Sequence, residues 1–574
     1  MKKIITVEDL GVQTFFGNPG DEISYENAPE YIVHLIVNGQ PVDKIEAAKL
    51  DLPGHLGGST GWAAGHSYVG FDHFRLSDKG DYFVSRDELL GGTETWVTGG
   101  AGNDILMAGS GIDHFDGGGQ GGSSPLFPQG DMLSYTYARG PVILSIDGSI
   151  KGGAAANDTW VNIESIGGGE FDDELYSIDD GADHLLIGDA SEGYNLTTHT
   201  GADKLYGARN NDHRHDNGDS YFDTYIPEGG SDEIHLGARG NWIDYESDPH
   251  TGGTVVDLLN PSLNTGDAAG DTYYAFDGHA LNASDTVALN LTGSDHNDSL
   301  SGTNGANHIL GDPLPGVNYT SDGNDLIHGQ GGNDWLEGIG GADTLYGDDG
   351  NDKINGGLGA DTLWGGTGAD TFIYADTAFH SGLQESTAAG YDIIHDFESG
   401  TDHLDVSAVA SITSISMLSS GGGTFLFSNT VDGAYLEIGS TAPIQGSDLV
   451  IGAGVTTINM VGDAGFNILI GGGLNDTIQG GGGGDWLAGG GGADRFIFTA
   501  TTDSTMSAAD SIFDFQTGVD KIDLRALHIG ATSVNWLSSG GSSYVFIDAN
   551  LDGANDMLLQ LSGAASLSTS DFLL

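Results

Sequence analysis

Asp325, Asp334, Asp343, Asp352, Asp361 and Asp370 recur every nine residues between Gly323 and Tyr374. Two positions after each stands an apolar side chain: Ile327, Leu336, Leu345, Ile354, Leu363 and Phe372. Two positions before each stands a glycine, from Gly323 through Gly332, Gly341, Gly350 and Gly359 to Gly368. Carboxylates and carbonyls are the hard oxygen donors that calcium prefers. Strict recurrence of G-G-x-G-x-D-x-U-x is the signature of a calcium-binding parallel β-helix.

The elements that must position these oxygens follow from the residue types. Glycine permits left-handed backbone and brings carbonyls together with no Cβ in the way, so six residues make a turn and three make a strand whose U side chain points inward. Two nonapeptides complete a coil, and turns 18 residues apart stack. One edge carries Asp325, Asp343 and Asp361, and the other carries Asp334, Asp352 and Asp370. Cations between stacked turns would take these carboxylates together with the turns of Gly329, Gly338, Gly347, Gly356 and Gly365. A flexible glycine linker has no reason to keep Asp and apolar positions in register.

The block resembles the calcium-binding repeats of the RTX proteins, which Gram-negative bacteria secrete through a one-step type I exporter. The resemblance implies a parallel β-roll that is disordered without calcium and folds with it.

Composition agrees with a solenoid. There are 97 Gly and 13 Pro in 574 residues, without a collagen triplet. The formal charge is 17 − 83 = −66, which repels itself unless cations neutralise it and disfavours nucleic acid as a partner. There is no cysteine, so disulfides and thiolate metal sites are excluded. Lys2 and Lys3 begin like a signal segment, but Glu8 and Asp9 interrupt it, and no Sec signal and no membrane span is expected.

Residues 1–95, rich in aromatics, are read as a small β-rich N-terminal domain, a candidate for anchoring or assembly. Residues 96–291 read as a degenerate β-solenoid with long loops. Asp104 before Leu106 and Asp113 before Phe115 make one coil, and Asp173, Asp183 (with Leu185), Asp203 and Asp232 are weaker echoes. Within it, a segment from Tyr135 parallels one from Tyr245, each passing through a Gly/Ala turn to an Asp-Thr pair. Asp298 with Leu300 leads into the main block.

Residues 292–452 and 453–574 read as a tandem duplication of repeats plus cap. Asn467, Asp476, Asp485 and Asp494 step by nine, although Leu474 replaces a loop glycine and counts against the Asp476 site. After each block the same acidic spacing follows, Asp392, Asp396, Asp402, Asp405 and Asp510, Asp514, Asp520, Asp523. This segment resembles the domain after the repeats in serralysin-type secreted proteases, which implies a cap over the last apolar layer. Ser570-Asp-Phe-Leu-Leu574 resembles that family's export signal. Asp548, Asn550 and Asp552-Gly553 have the spacing of a calcium loop, or of a solvated turn between two cap strands.

No catalytic constellation emerges. None of the 19 His begins H-E-x-x-H, so a zincin protease site is absent. Gly57-Gly-Ser-Thr-Gly61 lacks the strand and helix of a nucleophile elbow, and Asp212-His-Arg-His-Asp216 reads as a loop. The expectation is an all-β, calcium-binding, extracellular protein exported by a type I route. It would act as a cell-surface building block, of surface-layer, adhesive or matrix type, through self-association and contact with surface polysaccharide. The alternative is a secreted carbohydrate-active enzyme, a polysaccharide lyase, epimerase or hydrolase, with its site in the loops of residues 120–290.

Overall fold

The computed structural model describes most of residues 94–177 and 253–574, the short strands between those spans, and a few strands before residue 94. Among the gaps are 38–66, 121–129, 188–203, 207–222, 246–252, 314–322, 375–390, 409–413 and 429–434. The G-x-S-x-G stretch, the Asp212–Asp216 stretch and most of the long loops of residues 120–290 therefore lie outside the described residues. The described residues form β-strands and short 3-10 turns, with no α-helix, and none of their helices is long and apolar enough to cross a membrane. The chain divides into two compact units, residues 1–323 and 324–574.

The second unit follows from the nonapeptide. Leu326–His328, Thr344–Tyr346, Thr362–Trp364 and Asp392–Phe397 pair in parallel as one sheet, and Trp335–Glu337, Lys353–Asn355, Thr371–Ile373 and His403–Asp405 as the other. Ile327, Leu345, Leu363 and Ile394 stand in one column, and Leu336, Ile354, Phe372 and Leu404 in the facing one. All eight are at most 1% exposed. Burying each such side chain contributes roughly 1.5–3 kcal/mol.

The two strands Ser414–Ser420 and Gly423–Ser428, with Tyr435–Ser440, form an antiparallel meander that continues the first sheet. Ser414–Ser420 then pairs in parallel with Thr457–Val461, where the next roll begins. That roll repeats the plan through Thr477–Gln479, Arg495–Ile497 and Lys521–Asp523 on one side, and Ile468–Ile470, Trp486–Ala488 and Asp510–Ile512 on the other. It too ends in a meander, Val534–Ser539, Ser542–Ile547 and Met557–Ser562.

In the first unit the same stacking continues despite long insertions. One column of core residues runs Leu106, Leu133, Ile166, Leu186, Tyr225, Ile243, Leu291, Ile309. Each of these is fully buried. The register corrects one sequence assignment: Leu186, not Leu185, fills the core position after Asp183, and in a strand a shift of one residue changes the face. Strands before residue 95 lie in these same parallel sheets. Tyr82–Arg86 pairs with Ile105–Met107, and His73–Arg75 pairs with Glu94–Gly102, so no sheet boundary falls at residue 95.

The turns carry local strain. The residue after the turn glycine is left-handed in each coil, with glycine at 357 and 366 (φ 88° and 94°) but Gln330, Ile339 and Asp348 at φ 73°, 75° and 68°. A β-branched residue in this region is a steric outlier, and left-handed backbone costs about 1–2 kcal/mol for non-glycine residues. Ile339→Gly is therefore expected to raise calcium-saturated stability by about 1 kcal/mol, read as a shift in guanidinium midpoint. A lower midpoint would show that the Ile339 side chain contributes more than its backbone costs.

Candidate metal centre

Each repeat aspartate is nearly inaccessible, at 0–2% exposure for Asp325, Asp334, Asp343, Asp352, Asp361 and Asp370. From Asp343 on, one carboxyl oxygen is fixed by the preceding coil. Asp325 N–H donates to Asp343 Oδ1 (2.7 Å), Asp334 to Asp352 (2.8 Å), Asp343 to Asp361 (2.9 Å) and Asp352 to Asp370 (2.9 Å). The second roll continues the rule, with Asn467 N–H on Asp485 and Asp476 N–H on Asp494. Two ladders of carboxylates thus tie stacked coils together.

The other oxygen faces a different environment. Oδ2 of Asp352, Asp361, Asp370, Asp485 and Asp494 is buried and accepts no hydrogen bond. A Cβ placed on Gly347 would lie 2.5 Å from both Asp352 Oδ2 and the Gly365 carbonyl oxygen. Gly329, Gly338, Gly356 and Gly365 face Asp334, Asp343, Asp361 and Asp370 in the same way, as Gly480 and Gly489 face Asp485 and Asp494. The glycine leaves open a cradle that faces a carboxylate, and at Gly329, Gly338 and Gly347 a carbonyl converges there too. No group of three or more His, Asp or Glu side chains converges among the described residues, so a cation here would depend on backbone carbonyls as well. An all-oxygen, part-carbonyl cradle fits calcium.

Burial accounts for the electrostatics. Desolvation raises Asp352 and Asp361 to about 7, and Asp370, Asp485 and Asp494 to about 6. A carboxylate without a counterion is costly in such a place.

The cap segments supply rungs that the nine-residue count did not reveal. Asp361 and Asp370 donate to Asp392 Oδ1 and Asp402 Oδ1, each at 3.0 Å. Asp485 and Asp494 donate to Asp510 and Asp520. Asp396 accepts two successive N–H groups, from Gly365 and Gly366, and Asp514 those from Gly489 and Gly490. The sequence signal was present as Asp-x-apolar, in Asp392 with Ile394 and Asp402 with Leu404.

The remaining sequence candidates differ among themselves. Gly99 faces Asp104 Oδ2 and the Gly117 carbonyl, a cradle like those above. Asp113 is buried and its N–H donates to Asp158 Oδ1 at 2.9 Å. Asp298 accepts the Thr254 N–H on Oδ1 and the Ser294 N–H on Oδ2. Asp476 Oδ2 accepts the Gly472 N–H at 2.9 Å, the rung where Leu474 interrupts the glycines. In the turn between the last cap strands, Asp548 accepts N–H groups from Asp552 and Gly553, Asn550 accepts from Asp552, and Asp552 accepts from Ala554.

Two rungs use protein in place of an ion. Asp158 accepts Tyr135 O–H on Oδ2 at 2.6 Å, and Asp271 accepts Tyr245 O–H on Oδ2 at 2.8 Å. Asp271 also receives the Asp232 N–H on Oδ1. These are the Asp-Thr pairs of the two parallel segments that begin at Tyr135 and Tyr245.

Residues 429–574 match the family model described as Peptidase M10 serralysin C terminal. Residues 96–120, 292–313, 319–338 and 337–372 match the RTX calcium-binding nonapeptide repeat. Serralysin C of Dickeya chrysanthemi is 33% identical over 222 residues, covering 33% of this chain and 46% of its own length. Metalloprotease AprA of Pseudomonas entomophila is 38% identical over 172 residues, covering 27% and 35%. The solution structure of the AlgE6R2 subunit from the Azotobacter vinelandii mannuronan C5-epimerase matches at 26% identity over 22% of this chain and 81% of its own, with a TM-score of 0.17. The chain spans less than half the length of the curated relatives it matches. It carries RTX repeats, which bind Ca2+, and a serralysin-like C-terminal domain, the combination of a type I secreted, extracellular protein.

Two outcomes follow from this geometry. Tyr135→Phe leaves the buried Asp158 Oδ2 without its donor and is expected to cost about 1–3 kcal/mol at every calcium concentration; an unchanged denaturation midpoint would contradict the rung. Without calcium, carboxyls raised to about 6–7 favour the folded roll only while protonated. That contribution is complete below the ordinary carboxylate range near pH 4 and is lost as pH rises through 6–7. Circular dichroism in chelator should therefore show more β-structure at pH 5 than at pH 8, and calcium should reverse the order.

Proposed function

We propose that this secreted calcium-binding protein is a structural building block of the cell surface, of surface-layer, adhesive or matrix type, whose folding is gated by extracellular calcium. The observation that carries the reading is the ladder itself. The same coil-to-coil carboxylate bonds recur in both units, so repeats fill most of the described chain and leave little of it for anything but a scaffold.

The residues that would hold calcium are Asp334, Asp343, Asp352, Asp361, Asp370, Asp485 and Asp494, with Asp325 and Asp104 at the neighbouring rungs. The turns at Gly329, Gly338, Gly347, Gly356 and Gly365 provide the space and carbonyls. A bound divalent ion supplies the positive charge that lets the buried carboxylates stay ionised. At low cytosolic calcium a chain of net charge −66 stays expanded and exportable. Outside the cell, calcium folds it.

Assembly has support in the surface. Phe466, Trp486 and Phe513 are 58%, 50% and 46% exposed, and the two Phe rings, from the turns flanking the sheet, each pack edge-to-face at 5.6 Å on Trp486 of the second roll. Adjacent exposed aromatics of this kind mark contact surfaces. At the other end of the chain, Ile4–Thr6 and Val33–Val37 are the outermost described strands of their parallel sheets. Residues 1–95 are accordingly the proposed anchoring or assembly segment, with surface polysaccharide or a second copy as partner.

The experiment is negative-stain imaging of the full chain in chelator and then in excess calcium, with circular dichroism alongside. Calcium-dependent β-structure together with sheets or filaments is the expected result, whereas discrete folded monomers would remove the assembly reading. Asp343→Ala combined with Asp352→Ala should lower calcium affinity and the calcium-dependent part of Tm. Identical melting with and without chelator in the parent protein would refute calcium gating.

A further inference from the structure

Near the start of the repeats, one turn reproduces the nonapeptide cradle with residues that do not follow the nonapeptide pattern. A Cβ on Gly117 would meet the Asn162 carbonyl oxygen and lie 2.5 Å from Asp131 Oδ2. This is the convergence seen at Gly347. One coil earlier, Gly99 faces Asp104 Oδ2 and the Gly117 carbonyl, so the carbonyls of Gly117 and Asn162 succeed each other along the same edge.

The side chain at the centre of this space has an oxygen with nothing to bind. Asp131 is 1% exposed; its Oδ1 accepts the Asp104 N–H at 2.7 Å, while Oδ2 is buried and accepts no hydrogen bond. The surroundings are negative. Glu164 Oε2 accepts the Asp131 N–H at 2.8 Å, standing where aspartate forms the next rung elsewhere. Asp116 Oδ1 accepts from Asn162 Nδ2 at 2.7 Å, a bond that steadies Asn162 in its left-handed conformation at φ 56°. Neutral alternatives to a cation exist in this protein, as Tyr135 on Asp158 shows, and none reaches Asp131 Oδ2.

We propose that Asp131 Oδ2 and the Asn162 carbonyl, in the space left by Gly117, bind a divalent cation of the calcium class. Gly117 closes the matched repeat of 96–120, while the oxygen donors Asp131 and Asn162 lie beyond it. Its contributors come from three coils separated by insertions, so it extends calcium dependence into the part of the chain that lacks the repeat pattern. It rests on the reading that the nonapeptide cradles hold calcium.

The test counts bound calcium on the full-length protein at saturating free calcium, by equilibrium dialysis and elemental mass spectrometry. Asp131→Asn is expected to bind one ion fewer than the parent. Asn162→Gly, which keeps the carbonyl and suits the left-handed backbone, is expected to keep the parent count. Should Asp131→Asn lose the parent's circular dichroism in calcium, Glu164→Gln serves instead. It keeps an acceptor for the Asp131 N–H and is expected to shift one ion to about tenfold higher free calcium. An unchanged count in folded Asp131→Asn, or an unshifted titration in Glu164→Gln, overturns the site while leaving the nonapeptide sites standing. A parent protein that binds no calcium overturns both.

Discussion

Everything in this fold depends on stacking aspartates in columns inside a low-dielectric wall. A three-residue strand contributes one core side chain, too little to hold a coil by burial alone, so neighbouring coils need another tie. The aspartate preceding the strand supplies it: Oδ1 accepts the N–H of the aspartate one coil back, from Asp325 through Asp370 and into the caps at Asp392 and Asp402. That bond satisfies a buried backbone donor at each turn, where the glycine-rich loop offers few other acceptors. The same bond buries a charge, and the remaining oxygen has to be answered.

The chain answers it in three ways. In the nonapeptide turns, glycine opens a cradle, with a carbonyl brought up at Gly329, Gly338 and Gly347, an arrangement suited to a hard cation. At Asp158 and Asp271 a buried tyrosine hydroxyl takes the place instead, and at Asp271 it is backed by a relay in which Asn264 donates to Tyr273, which meets Tyr245. At Asp298 and Asp476 a nearby backbone N–H closes the second oxygen. The rungs are geometrically equivalent yet chemically distinct, so calcium dependence varies along the ladder. Rungs closed by tyrosine do not need an ion to be satisfied, whereas Asp298 and Asp476 still face a glycine and a carbonyl, at Gly293 with the Gly311 oxygen and at Gly471 with the Gly489 oxygen.

How much of this was legible in the sequence follows the same division. Where Asp and its apolar partner share a strict period, as from Asp325 to Phe372, both the columns and the candidate cradles could be read off. Insertions hid the rest. Asp131, Asp158, Asp271, Asp392 and Asp402 occupy the same rung position, but the residues whose N–H groups they accept lie 27, 45, 39, 31 and 32 positions earlier. A loop inserted between rungs leaves the stacking intact while erasing the period. The parallel between the segments at Tyr135 and Tyr245 was visible as sequence, but its cause, a hydroxyl closing a carboxylate, needs the third dimension. Leu186 shows the complementary failure, where counting two positions on from Asp183 slipped the register by one residue.

The caps extend this logic to the ends of the rolls. A parallel stack that simply stopped would leave its last carboxylate acceptors and apolar layer facing water. Instead Asp396 and Asp514 each hold two consecutive N–H groups of the last glycine turn, and an antiparallel meander continues the sheet beyond them. In the first roll the meander does more than extend the sheet. Its strand Ser414–Ser420 offers an edge to Thr457–Val461, so the sheet that closes one roll is the template on which the next begins. A duplication of repeat plus cap can therefore lengthen this protein, because the first cap presents a sheet edge on which the next roll pairs.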